Sequence, residues 1–289
     1  MPNIFWFIIL GFIGVISSVY TIYKKRDKFK ISTLIVFYMA VAGLTWICEF
    51  LVLGLFNSYI YRTGIFKDVW EQNLLGHLIL NTSLYPATAL IMVAFSLKYK
   101  WISFVAIIFT LIDYLYVKLN IYEHHWWKFY MTAITVVIVM LLENYWFKKI
   151  QENRSKIIRA ITFYFVAILI IHAPAPILML LNKQYYKLYF INNLFKDPYL
   201  SSIIIIFLYQ SIEALIAVIC TCVLKKWYWA LIPFFISIIS QSIFYKTNIM
   251  VINSNWNFIY TLLIYDIFIA IFIFVEKNTL KSDSLFGYL

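Results

Sequence analysis

Nine stretches of predominantly apolar residues run through this chain, each about as long as the ~20-residue helix that crosses a bilayer. They cover approximately residues 4–23, 31–55, 74–97, 101–119, 129–147, 157–181, 200–223, 227–245 and 257–275. Hydrocarbon offers no partner to a peptide N–H or C=O, so single stretches of this kind fold as helices. The expected fold class is therefore all-α, a polytopic bundle of about nine transmembrane spans. Only 13% of the 289 residues are charged and 64% are hydrophobic, which excludes a disordered, collagen-like or loop-rich secreted chain.

A net charge of +11 would point a soluble chain toward nucleic acid. Here no nucleic-acid partner is expected, because short cytoplasmic loops of membrane proteins gather Lys and Arg. Lys24, Lys25, Arg26, Lys28 and Lys30 follow the first segment. With alternating spans, Lys98, Lys100, Lys148, Lys149, Arg154, Lys156, Arg159, Lys225, Lys226, Lys277 and Lys281 fall on the same side, making sixteen of the 24 basic residues. That asymmetry predicts a cell-membrane protein with its N-terminus outside and its C-terminus in the cytoplasm. The first segment has no basic residue before it and no small-x-small cleavage site, so it reads as a span. Cys48, Cys220 and Cys222 lie in apolar stretches without Cys-x-x-Cys spacing and read as small buried apolar residues.

A repeat of about 128 residues organises the rest. Phe37-Tyr38 matches Phe163-Tyr164, Phe66-Lys67-Asp68 matches Phe195-Lys196-Asp197, and Lys118-Leu119-Asn120-Ile121 matches Lys246-Thr247-Asn248-Ile249. Trp127, Phe129 and Thr132 match Trp256, Phe258 and Thr261 in the same order. The expected organisation is an N-terminal helix with a basic loop (1–30), a first four-helix repeat (31–156), a second (157–276) and a cytoplasmic tail (277–289). Four spans is an even number, so the repeats are parallel, and by analogy with transporters a site is expected at their interface.

Polar groups at membrane depth cost about 2.5–3.5 kcal/mol each on insertion scales, so they turn inward and find partners or line cavities. Glu49, His77, Asn81, Asp113, His172, Gln210, Glu213 and Asp266 are the candidates, and their positions fall in the central and outer parts of the spans. His77, Asn81 and Tyr85 share one helix face, Gln210 aligns with Asn81, and Gln241 aligns with Asp113. Glu143, five residues from Lys148, reads as interfacial. Two readings stay open: interhelical glue, or a polar cavity open to the outer face for a small molecule, an ion or a lipid headgroup. Pro86, Pro174 and Pro176 would kink the helices beside these groups.

In the cluster Glu123-His124-His125-Trp126-Trp127-Lys128, the residues His124, His125, Trp126 and Trp127 are expected at the membrane interface. Adjacent histidines diverge and a fourth ligand is missing, so neither a metal nor another cofactor is expected. The spacers 56–73 and 182–199 read as segments lying along the outer interface. No catalytic motif is present.

Residues 31–147 resemble a family of small, four- to five-span integral membrane proteins of spore-forming Gram-positive bacteria, here in apparent tandem. The residues that carry the likeness are Leu75-Gly76-His77 with Asn81, Tyr85-Pro86-Ala87-Thr88, Asp113-Tyr114, and Tyr122-Glu123-His124-His125-Trp126-Trp127. The family pattern would place Asn and His together and Glu where Asp113 stands. The resemblance implies a fold and a membrane location but no biochemical role.

The first functional expectation is binding or transport, with Glu213 and Asp266 titrating and the other candidates lining the path. Membrane lipids and a small-molecule or lipid ligand would be its partners. The alternatives are an intramembrane lipid-modifying enzyme using His77 or His172 with a carboxylate, and a scaffold subunit of an envelope or spore-membrane complex.

Overall fold

A computed structural model describes residues 3–152, 155–224 and 226–280. Among these, nine helices are long and apolar enough to cross a membrane, so the chain is a multi-pass membrane protein. They are α1 (Ile4–Lys25), α2 (Ile31–Leu55), α3 (Val69–Ala94), α4 (Tyr99–Lys118), α5 (Phe129–Glu152), α6 (Lys156–Leu180), α7 (Pro198–Val223), α8 (Trp227–Lys246) and α9 (Phe258–Asn278). The chain divides into two compact units, Met1–Ser155 and Lys156–Leu289, and the first takes in α1 together with α2 to α5.

Local chemistry sets where these helices start and stop. Asp68 and Asp197 cap α3 and α7 by accepting from Trp70 N and Leu200 N at 2.7 and 2.8 Å. At the other ends, Asn57, Asn120, Asn182 and Asn248 adopt positive φ, a conformation Asn tolerates better than most residues. Each asparagine turns the chain out of a helix and into a three-residue strand.

The bundle is all-α as expected, and these strands are small additions to it, too short to leave a periodic signal. In the first unit β1 (Tyr59–Tyr61) pairs antiparallel with β2 (Tyr122–His124), aligning Tyr59 with His124 and Tyr61 with Tyr122. In the second, β3 (Gln184–Tyr186) pairs with β4 (Met250–Ile252). Each pair is tied to a helix by one polar side chain. Asn73 Oδ1 accepts from Tyr61 N at 2.7 Å, and Ser202 Oγ accepts from Tyr186 N at 2.7 Å. Gly76 makes the first of these approaches possible, since a Cβ there would lie 2.8 Å from Tyr61 Cβ.

Helix α1 is inside-out by soluble standards. Its buried positions include Gly11, Gly14, Ser18 and Thr21, while Phe12, Ile16 and Val19 point outward. Small residues let helix backbones approach where hydrocarbon supplies no hydrophobic drive. A Cβ at Gly14 would fall 2.6 Å from the Ser83 carbonyl carbon, at the break that divides α3 into Val69–Thr82 and Leu84–Ala94. Helix α6 breaks similarly after His172, where Pro174 begins a new helical piece. Helices α2 and α7 end in wider π-helical turns, Phe50–Leu55 and Ile219–Val223.

Candidate functional site

The first unit holds a partly open cavity of about 170 Å³ between α2, α3, α4 and α5 and beneath the strand pair, with Leu10 of α1 also on its wall. Its size is comparable with the ~150 Å³ that admits a benzene-sized guest. On α5 the wall residues Thr132, Thr135, Val136, Val139, Met140 and Glu143 recur at helical spacing, so one stripe of that helix faces the void. From Thr132 to Glu143 this stripe climbs about 16 Å at 1.5 Å per residue. The cavity is therefore long, with one end at the connecting segments and the other deep in the bundle.

The shallow end is aromatic. Tyr59 and Tyr61, only 6% and 4% exposed, form a roof with Tyr122 and Trp127, whose rings contact one another with centroids 4.9–5.7 Å apart. Burial pushes the Tyr59, Tyr61 and Tyr122 hydroxyls well above the usual tyrosine range, and the Glu49 carboxylate adds to the shift. These phenols are thus neutral hydrogen-bonding groups at any physiological pH. Tyr59, Tyr61 and Asn81 surround Glu49.

Asp113 is held from both sides. Trp127 Nε1 donates to Thr132 Oγ1 at 2.8 Å, Thr132 Oγ1 donates to Asp113 Oδ2 at 2.6 Å, and His124 Nε2 lies 2.8 Å from Asp113 Oδ1. Glu49 Oε1 and Glu143 Oε2, by contrast, are buried without a hydrogen-bond partner. An unsatisfied buried carboxyl oxygen is costly.

Several sequence expectations change. Glu143 faces inward: it is 3% exposed and lines the cavity, because α5 turns it toward the bundle. Spacer residues Tyr59 and Tyr61 face inward and do not lie on the outer surface. Cys48 is exposed and lines the cavity, whereas Cys220 and Cys222 are buried. His124 and Trp127 belong to the Asp113 network, while His125 and Trp126 contact the backbone carbonyls of Asn57 and Phe56 at 2.8 and 2.7 Å. Of the eight residues expected at membrane depth, Glu49, Asn81 and Asp113 come together at this cavity. His77 sits beside it, with Nδ1 2.6 Å from Asn81 Nδ2 and its ring 5.1 Å from that of Trp46.

The remaining four lie in the second unit. His172 Nδ1 is 2.5 Å from Gln210 Oε1. Glu213, 1% exposed, has Tyr209 and Ser237 beside it and Asp266 nearby, and neither of its carboxyl oxygens meets hydrogen-bond geometry. Around β3, Gln184 Nε2 donates to Tyr265 Oη at 2.9 Å, Tyr186 and Tyr265 share a hydroxyl contact of 3.1 Å, and Thr261 Oγ1 donates to Gln184 Oε1 at 3.0 Å. Among the described residues no group of three or more His, Cys, Asp or Glu is arranged to hold a metal ion. No family model, curated protein or solved structure matches the chain.

Proposed function

We propose that this membrane protein binds or transports a small ligand through the cavity of its first unit, with the cavity reached from the outer face. The carrying observation is a long and mostly apolar void whose lining includes three carboxyl side chains, Glu49, Asp113 and Glu143, and no Lys, Arg or His. The outer location rests on the basic residues: the cavity roof lies on connecting segments 56–68 and 119–128, opposite the Lys24–Lys30 run. We further propose that the units arose by duplication, which the matched Asp caps, Asn turns and strand pairs support.

Cys48 provides the test. In a Cys220→Ala, Cys222→Ala background, a charged, membrane-impermeant thiol reagent applied outside should modify Cys48, and Val136→Tyr should block the reaction by filling the void. A thiol that stays unreactive, or one whose reaction ignores Val136→Tyr, sinks the cavity reading. Reaction only from the cytoplasmic side reverses the orientation.

A further inference from the structure

We propose that the cavity recognises an alkylammonium group; this rests on the binding reading above and names its ligand class. Three carboxyl groups line the void, and no Lys, Arg or His does. Asp113 already has both oxygens engaged, so the carboxyl groups left to meet a guest are the 3%-exposed Glu143 and Glu49, which has Tyr59, Tyr61 and Asn81 beside it. An ionised carboxylate on the wall repels an anion, and a neutral apolar guest gives the carboxyl groups no partner.

The walls choose between kinds of cation. A hard metal ion needs six or more convergent oxygens for calcium, or a near-octahedral set for magnesium. Among the described residues no such carboxylate group converges. An alkylammonium needs no convergence, because its charge is spread over an apolar surface that prefers hydrocarbon and aromatic rings. Cages of Tyr and Trp beside carboxylates suit it, through ring quadrupoles and a low-dielectric field. Tyr59, Tyr85, Tyr116 and Trp127 supply rings, and Leu44, Val136 and Val139 supply hydrocarbon.

The ammonium can arrive as a free amine or as a choline or ethanolamine lipid headgroup. Titration calorimetry and melting curves on the delipidated full-length protein in detergent, with choline, its neutral isostere 3,3-dimethylbutan-1-ol and acetate, test the charge. Choline should bind saturably and raise the melting temperature, with the isostere and acetate at least about tenfold weaker. Glu143→Gln, nearly isosteric, should weaken choline by about tenfold, while Glu143→Asp retains most of the affinity.

Equal binding of the neutral isostere, or tighter binding of acetate, overturns the cation inference and leaves the cavity reading to the Cys48 reaction. Failure of choline to bind also overturns the inference. Loss of choline binding on reconstitution into phosphatidylcholine but not phosphatidylglycerol vesicles assigns the lipid headgroup; binding in both assigns the free amine.

Discussion

The two units handle the same polar apparatus differently. In both, a Trp indole donates to a Thr hydroxyl five residues on, at 2.8 Å for Trp127–Thr132 and 3.0 Å for Trp256–Thr261. In the first unit that hydroxyl passes to Asp113 at the edge of a void; in the second it passes to Gln184, whose amide binds Tyr265. At the spacing that relates Trp127 to Trp256, Val136 on the cavity wall corresponds to Tyr265, which is 1% exposed. This position thus carries a small side chain beside a void in the first unit and a buried, hydrogen-bonded ring in the second.

The contrast can be broken from the second unit first. Tyr265→Val should cost about 3–5 kcal/mol, as other large aromatic truncations in cores do, and should lower the melting temperature in detergent. A negligible change would mean that Tyr265 does not hold the second core. The next effect belongs to the helix that only the first unit has. Gly14→Ala forces a Cβ into the Ser83 backbone and should cost about 1–3 kcal/mol, read as a lower melting temperature. Converting the first unit toward the second has the opposite sign. Val136→Tyr should stabilise by about 0.5–2 kcal/mol as a cavity filler, while ending Cys48 modification; destabilisation would show that the void resists filling.

The smallest effect concerns the strand pairs. Arg62 pairs with Glu123 in the first, where Lys187 and Val251 occupy the corresponding places in the second. The Arg62 hydrogen bond holds the Glu123 carboxyl below its usual range. Its stabilisation is therefore complete above the ordinary carboxylate pKa and is lost as pH falls through the depressed value. Both groups are largely exposed, so solvent screening keeps the loss under about 1 kcal/mol. Glu123→Gln should remove that acid-side slope in melting temperature, and an unchanged slope would assign it to another carboxylate.

The spans were legible because hydrocarbon demands long apolar helices, and the matched Asp, Asn, Trp and Thr positions were legible because capping and turning admit few residue types. What lay hidden was which way polar groups face. Glu143 looks interfacial beside Lys148 along the chain, yet α5 carries Lys148 further on while turning Glu143 to the cavity wall. Tyr59 and Tyr61 look like anchors in a spacer, and only pairing with a strand some sixty residues away brings them inward. The void itself has no local signature, because its walls come from residues as far apart in the chain as Leu44 and Glu143.

The seam of α1 sets a condition on biosynthesis. Gly11 and Gly14 are shaped to receive Ile79 and Ser83, residues that do not yet exist when α1 enters the bilayer. At about 5–20 residues per second, translation from Lys25 to Ser83 takes roughly 3–12 s. During that interval the first helix carries an unfilled groove among lipids or beside the insertion machinery. Its bulky outward face of Phe12, Ile16 and Val19 meets lipid from the outset, so α1 can wait there as a stable anchor until α3 arrives to claim the other side.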